Sequence, residues 1–312
     1  MAFSRSDRTG AIVLALAAAL LWATYYLFAL WLRAGTAPSA TLAYPFLYGG
    51  LAYSIYAAAR GHGGAWLALW RSPAAYLRIA LLAGMQVSVL AATYLAGPVD
   101  SALLSLIGDV VVTPLLVAYL LGIGRAQVQT ALFAVGIALS VAGGGLTIVA
   151  GQRLSGLTTW GWLVVPVLPL TVAAYFLLTA RANRTVAAAA VVGQSMFGAG
   201  LVSVLLAPAV PGGFGGLAVV DPLPVLLLLL CGVTSFFLAP ALYFRAIERA
   251  GLIVPPMLMT GIPVFTLILS TTVLGLALPW LGVLGIPIAV VGALLALRSE
   301  TAPTGGRPTG AP

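Results

Sequence analysis

Apolar residues fill this chain in long stretches, and short polar or Gly/Pro-rich joints separate them. Ten such runs stand out, at about 10–32, 40–59, 79–96, 98–121, 128–150, 160–179, 186–207, 223–244, 252–274 and 280–297. Each approaches the length a helix needs to cross a bilayer, and none alternates with the period of two expected of barrel strands. The pattern predicts an all-α membrane protein with ten transmembrane helices. Residues 1–9, with Arg5 and Arg8, resemble the charged start of a signal peptide, but the run that follows is too long for its apolar core. It reads as an uncleaved first span behind a short cytoplasmic N-terminus.

The joints set the topology. The segment after the second run holds Trp66 and Trp70 four residues apart, which suggests a short interfacial helix. Trp31, Trp160, Trp162 and Trp280 fall at span ends, as belt residues do. Residues 299–312 have no apolar face and read as a disordered cytoplasmic tail. All 14 basic residues are arginine, and with both termini inside only Arg33 and Arg153 fall on outer segments. That excess of inner arginine favours this orientation over its inverse. Arg78 is assigned to an inner joint, so no basic residue falls deep in a span.

Composition removes several function classes. The chain is 62% hydrophobic and 6% charged, with a mean hydropathy of +1.13. Its net charge of +8 therefore reflects loop arginines and not a nucleic-acid surface. One cysteine, Cys231, and one histidine, His62, make neither an internal disulfide nor a metal cluster, and no cofactor is implied. No GxxxxGK[ST] loop is present, so no ATP site is expected.

Candidate chemistry centres on the fourth run, where Asp109 lies deep among aliphatic residues. Ser101, Ser105, Asp109 and Thr113 follow at four-residue intervals and share one helical face. A carboxylate there costs roughly 2.5–3.5 kcal/mol on insertion scales. Either it serves a proton, cation or polar substrate in a cavity, or it is a structural Asp hydrogen-bonded within the bundle. Gln86 and Thr93 share a face of the third run, beside Tyr94. Trp22, Tyr25 and Tyr26 cluster in the first run, with Tyr175 in the sixth. All are candidate cavity residues, with packing as the alternative. Gln194 reads as structural. Pro114 and Pro263 are candidate helix breaks. Met257, Met259 and Thr260 read as core, and Arg245, Glu248 and Arg249 as an exposed helix-end group.

The two halves echo each other. At an offset of 150, Leu20, Ala23, Tyr25 and Leu27 match Leu170, Ala173, Tyr175 and Leu177. At 149, Pro114, Gly136, Ile137 and Gly143 match Pro263, Gly285, Ile286 and Gly292. Five spans per half is odd, so the expectation is two inverted five-helix repeats, 10–150 and 151–298, an arrangement transporters use. Further residues carry a family likeness: Leu20-Leu21-Trp22, Leu106 to Pro114 followed by Leu121-Gly122, Ala241-Leu242, Ile262-Pro263-Val264-Phe265 and Leu274-Gly275. On these, about residues 10–298 resemble the drug/metabolite transporter superfamily and its ten-span EamA-like permeases. Members of that group often carry Glu after each Leu-Gly pair; here Ile123 and Leu276 stand there, so no role of that Glu transfers.

The resemblance implies a secondary transporter in the plasma (inner) membrane that exports a small metabolite or an amphipathic or cationic compound. Proton coupling would run through Asp109. The absence of basic residues deep in the spans argues against phosphate-bearing cargo. A lipid scramblase is the alternative. An intramembrane enzyme is the weaker one, because Asp100 and Asp221 lie at outer span edges and no second Asp faces Asp109.

Overall fold

The computed structural model describes residues 5–95, 98–107, 112–121, 125–150, 159–250, 255, 258–277 and 280–299. Its regular elements are all helical. The first half holds α1 (Arg5–Arg33), α2 (Pro38–Ala59), α3 (Gly63–Leu69), α4 (Pro73–Leu95), α5 (Pro98–Ile107), α6 (Thr113–Leu121), α7 (Arg125–Val128) and α8 (Ala131–Ala150). The second holds α9 (Thr159–Ala182), α10 (Ala188–Leu205), α11 (Pro222–Cys231), α12 (Ala239–Ala250), α13 (Gly261–Thr272) and α14 (Trp280–Arg298). Prolines open α2, α4, α5 and α11, where a missing N–H costs nothing and the fixed φ already suits a helix.

One of those prolines corrects the sequence reading. The third helix begins at Pro73 and not near residue 79, so Arg78 stands inside it and is only 3% exposed. The long apolar stem of arginine lets it enter a helix that composition alone would end before it. The short helix expected around Trp66 is α3. Asp109 lies outside the described residues. Thr113 and Pro114 open α6, and their side chains lie outside what is described.

Polarity is arranged inside out relative to a water-soluble bundle. Gln86, Gln194, Ser195, Thr266 and Ser270 are buried, whereas Ile55, Leu205, Leu226 and Trp280 are exposed. An exterior of large aliphatic side chains is stable against lipid and not against water. Thr9–Arg33, Pro73–Leu95, Ala188–Leu205 and Pro222–Ala250 are long and apolar enough to cross a membrane, and shorter apolar helices accompany them. The chain is an all-α, multi-pass membrane protein.

Two seams hold the bundle. In one, α2 packs along α10; in the other, α8 packs along α14. Both seams cross at glycine. A Cβ on Gly50 would stand 2.6 Å from the Phe197 Cα, and one on Gly200 would stand 2.8 Å from the Leu47 N. In the second seam, a Cβ on Gly136 would stand 2.6 Å from the Gly292 carbonyl oxygen, and one on Gly143 would collide with the Gly285 carbonyl. Close backbone approach replaces the hydrophobic effect, which gives helices no reason to associate in lipid. Ser140 Oγ donates to the Ala289 carbonyl at 3.2 Å at the centre of the second seam. Around the first seam, α1 packs on α12 and α13, and α4 packs on α9. These helices enclose the main core.

Between α11 and α12 the helix widens into a π-helical stretch, Gly232–Leu238. Pro240 follows it and offers no N–H to the carbonyl four residues back, so a wider turn suits the chain there. Cys231 closes α11, 1% exposed beneath the α1 aromatics. Its thiol should resist N-ethylmaleimide in the folded protein and react only after denaturation, which mass spectrometry of labelled protein reads directly.

Candidate functional site

A cavity lies at the centre of the main core, and regular helical spacing builds it. Trp22, Tyr25 and Tyr26 face it from α1, and Leu82, Met85, Gln86 and Val89 from α4. Val172, Tyr175 and Phe176 line it from α9. Phe236, Pro240 and Phe244 follow at four-residue intervals along the π stretch and α12. In each set, intervals of three and four put the side chains on one face. Phe46, Ser105, Met196 and Ile262 close the remaining gaps from α2, α5, α10 and α13.

The walls are an aromatic mesh with a few polar points. Tyr25 packs edge-on against Tyr26 and Phe236, with ring centres 5.6 and 5.4 Å apart. Phe236 meets Phe46 at 4.4 Å, and Trp22 meets Tyr243 edge-on at 5.2 Å. Gln86 Nε2 donates to the Tyr25 hydroxyl at 2.6 Å, and the Tyr26 hydroxyl lies 3.2 Å from Ser105 Oγ. Ser105 in turn donates to the Ser101 carbonyl, and Ser101 to the Val89 carbonyl. The Tyr175 hydroxyl is buried without a partner. Such walls suit a ligand with a flat or apolar body and few polar groups.

The cavity thus brings together Trp22, Tyr25, Gln86, Ser105 and Tyr175 of the sequence candidates. Tyr94 sits elsewhere: the Arg33 guanidinium lies 5.3 Å from its ring centre, near the end of α4. Thr93 donates to the Val89 carbonyl within its own helix. Pro263 is buried in the first turn of α13. Gln194 is fully buried in α10, and neither atom of its amide has a partner. Sequence reasoning missed Phe46, Phe236 and Phe244, because single phenylalanines carry no signal in so apolar a chain. It also missed Arg78, although Pro73 marks the helix start that would have placed it.

A second, polar space opens at the end of the bundle where most arginines lie. Tyr56, Arg60, His62, Arg245 and Glu248 line this vestibule. It is about 270 Å³, against about 90 Å³ for the cavity. Arg245 Nη2 donates to the Tyr56 hydroxyl at 3.4 Å, and the Arg60 guanidinium lies 5.4 Å from the Tyr56 ring centre. Phe244 lines both spaces.

A solved crystal structure of a protein superposes with a TM-score of 0.71 at 20% identity, covering 96% of this chain and 99% of the other, which shows a shared fold. The comparison with curated proteins finds no match. Residues 159–298, the stretch from α9 to α14, match the model of the EamA-like transporter family.

Proposed function

We propose that the protein is a secondary transporter of the plasma (inner) membrane that exports a small amphipathic metabolite by alternating access, without ATP and without catalysis. The observation that carries this reading is the aromatic cavity in the main core, which shares Phe244 with a polar vestibule. In this reading, ten spans form two inverted repeats, 10–150 and 151–298, with both termini cytoplasmic.

The seams support the repeats. A shift of 150 carries Leu47 to Phe197 and Gly50 to Gly200, so the contact of Gly50 with Phe197 becomes the contact of Gly200 with Leu47. A shift of 149 carries Gly136 to Gly285 and Gly143 to Gly292, so the Gly136–Gly292 contact becomes Gly143–Gly285. Ser140 and Ala289, joined by a hydrogen bond, are one another's counterparts under that shift. Reciprocal contacts of this kind are what a two-fold axis between halves produces. Rocking one half on the other would expose the cavity to each side in turn.

Asp109 is the proposed proton site, four and eight residues along the chain from Ser105 and Ser101. The test is transport by protein in vesicles holding a pH-sensitive dye, across a metabolite panel under an imposed pH gradient. A compound that drives proton movement in wild type and not in Asp109→Asn supports the reading. Transport with no proton movement in either protein removes Asp109 from coupling and leaves facilitated diffusion. If no compound moves, labelled lipids test the scramblase alternative.

A further inference from the structure

The cavity-facing side of α4 continues past the cavity. Leu82, Gln86 and Val89 line it at intervals of four and three, and Arg78 stands one turn before Leu82 on the same face. Arg78 is 3% exposed, and its Nε and Nη2 have no hydrogen-bond partner. It lies within electrostatic range of Tyr175, whose hydroxyl is also unpartnered and whose ring lines the cavity. One turn along α9, Thr179 is fully buried with its hydroxyl unpartnered. Arg78 thus comes close to a pair of buried hydroxyls, Tyr175 and Thr179, which face each other along α9 and leave donor capacity unused. Among the described residues no carboxylate meets Arg78; burying an arginine without a counter-charge is costly, and a fold keeps such a group where something else completes it.

Resting on the transporter reading, we infer that Arg78, with Tyr175 and Thr179, forms a carboxylate-binding site, and that the cargo is an amphipathic organic anion. Its apolar body would occupy the aromatic cavity, while its carboxylate accepts hydrogen bonds from the Arg78 guanidinium and the Tyr175 and Thr179 hydroxyls. A planar fork of donors matches a carboxylate better than an ammonium would. The vestibule supports this independently. It carries Arg60 and Arg245 against one Glu248, a surplus of positive charge that concentrates anions at the mouth. The absence of deep basic residues read from the sequence is thereby reversed. The apolar cavity walls favour a carboxylate on an aryl or alkyl body over a free phosphate.

The experiment compares 3-phenylpropionate with its neutral amide, 3-phenylpropanamide, on the full chain in nanodiscs. Binding is read as a saturable change in tryptophan fluorescence that Trp22→Phe removes. Wild type should prefer the carboxylate by about 10- to 100-fold, the range of a hydrogen bond to a charged group. Arg78→Gln should bring the two affinities together, Arg78→Lys should keep part of the preference, and Tyr175→Phe should reduce it several-fold. The Arg78→Gln protein should unfold at an equal or higher temperature, since it loses an uncompensated charge. Equal affinities in wild type, or an unchanged preference in Arg78→Gln, overturn the anion site while leaving the cavity intact. If Arg78→Gln does not fold, loss of preference in Tyr175→Phe sustains the site and an unchanged preference there overturns it. If neither probe gives a signal that depends on Trp22, the cavity reading fails and this inference falls with it.

Discussion

Gly50→Leu should leave almost no folded protein. The α2 and α10 backbones touch at this crossing, and a Cβ would stand 2.6 Å from the Phe197 Cα and 2.8 Å from the Met196 carbonyl carbon. No side-chain rotation relieves a clash with backbone, so α10 would have to move as a unit. It carries Met196 into the cavity wall, and α2 carries Phe46 there, so the seam and the cavity would be lost together. Overpacking typically costs about 1–3 kcal/mol when side chains can adjust, and here they cannot. A loss beyond about 3 kcal/mol is expected, a large share of the 5–15 kcal/mol that holds a typical protein folded. The control is Gly84→Leu in α4, where no atom lies within 4 Å of an added Cβ. Monodisperse yield in detergent should collapse for the first and stay near wild type for the second. Equal yields would show that the seam tolerates separation.

Phe244→Ala should open the cavity to the vestibule. Phe244 borders both spaces, with the Tyr243 ring 5.5 Å from its own. Truncating a buried phenylalanine removes about 3–5 kcal/mol of packing. If a third of that is specific to the closed arrangement, access rises about tenfold. A cysteine at Met85, in a protein with Cys231 replaced by alanine, reports that access through a charged methanethiosulfonate reagent in nanodiscs. Modification should be about tenfold faster with alanine at 244, and bound 3-phenylpropionate should slow it. An unchanged rate would show that the barrier lies elsewhere.

Helical class and membrane residence were legible in the chain before any folding. Unbroken apolar runs leave backbone groups no partner in lipid except within their own helix, so sequence dictates local structure there with unusual strength. Helix starts were legible where proline marks them, and the reading erred on α4 where Pro73 was passed over in favour of the first aliphatic residue. The aromatic candidates in α1 and α9 were legible because Tyr25 and Tyr175 occupy matched positions. The same composition hid the phenylalanines, since an apolar side chain facing a cavity and one facing lipid look alike in a list of residues.

The sequence by itself determined the helices, the membrane setting and the matched glycines of the two halves. Only the tertiary structure decided which faces turn inward. It gathered Trp22, Gln86, Tyr175 and Phe236 from four segments around one cavity, and put Phe244 on the wall of both that cavity and the vestibule. It also moved Arg78 from a presumed loop to a buried place within electrostatic range of Tyr175. The reason is that lipid supplies no hydrophobic preference between helices. Facing is settled by where backbones can approach, and that depends on glycines such as Gly50 and Gly200 meeting across the bundle.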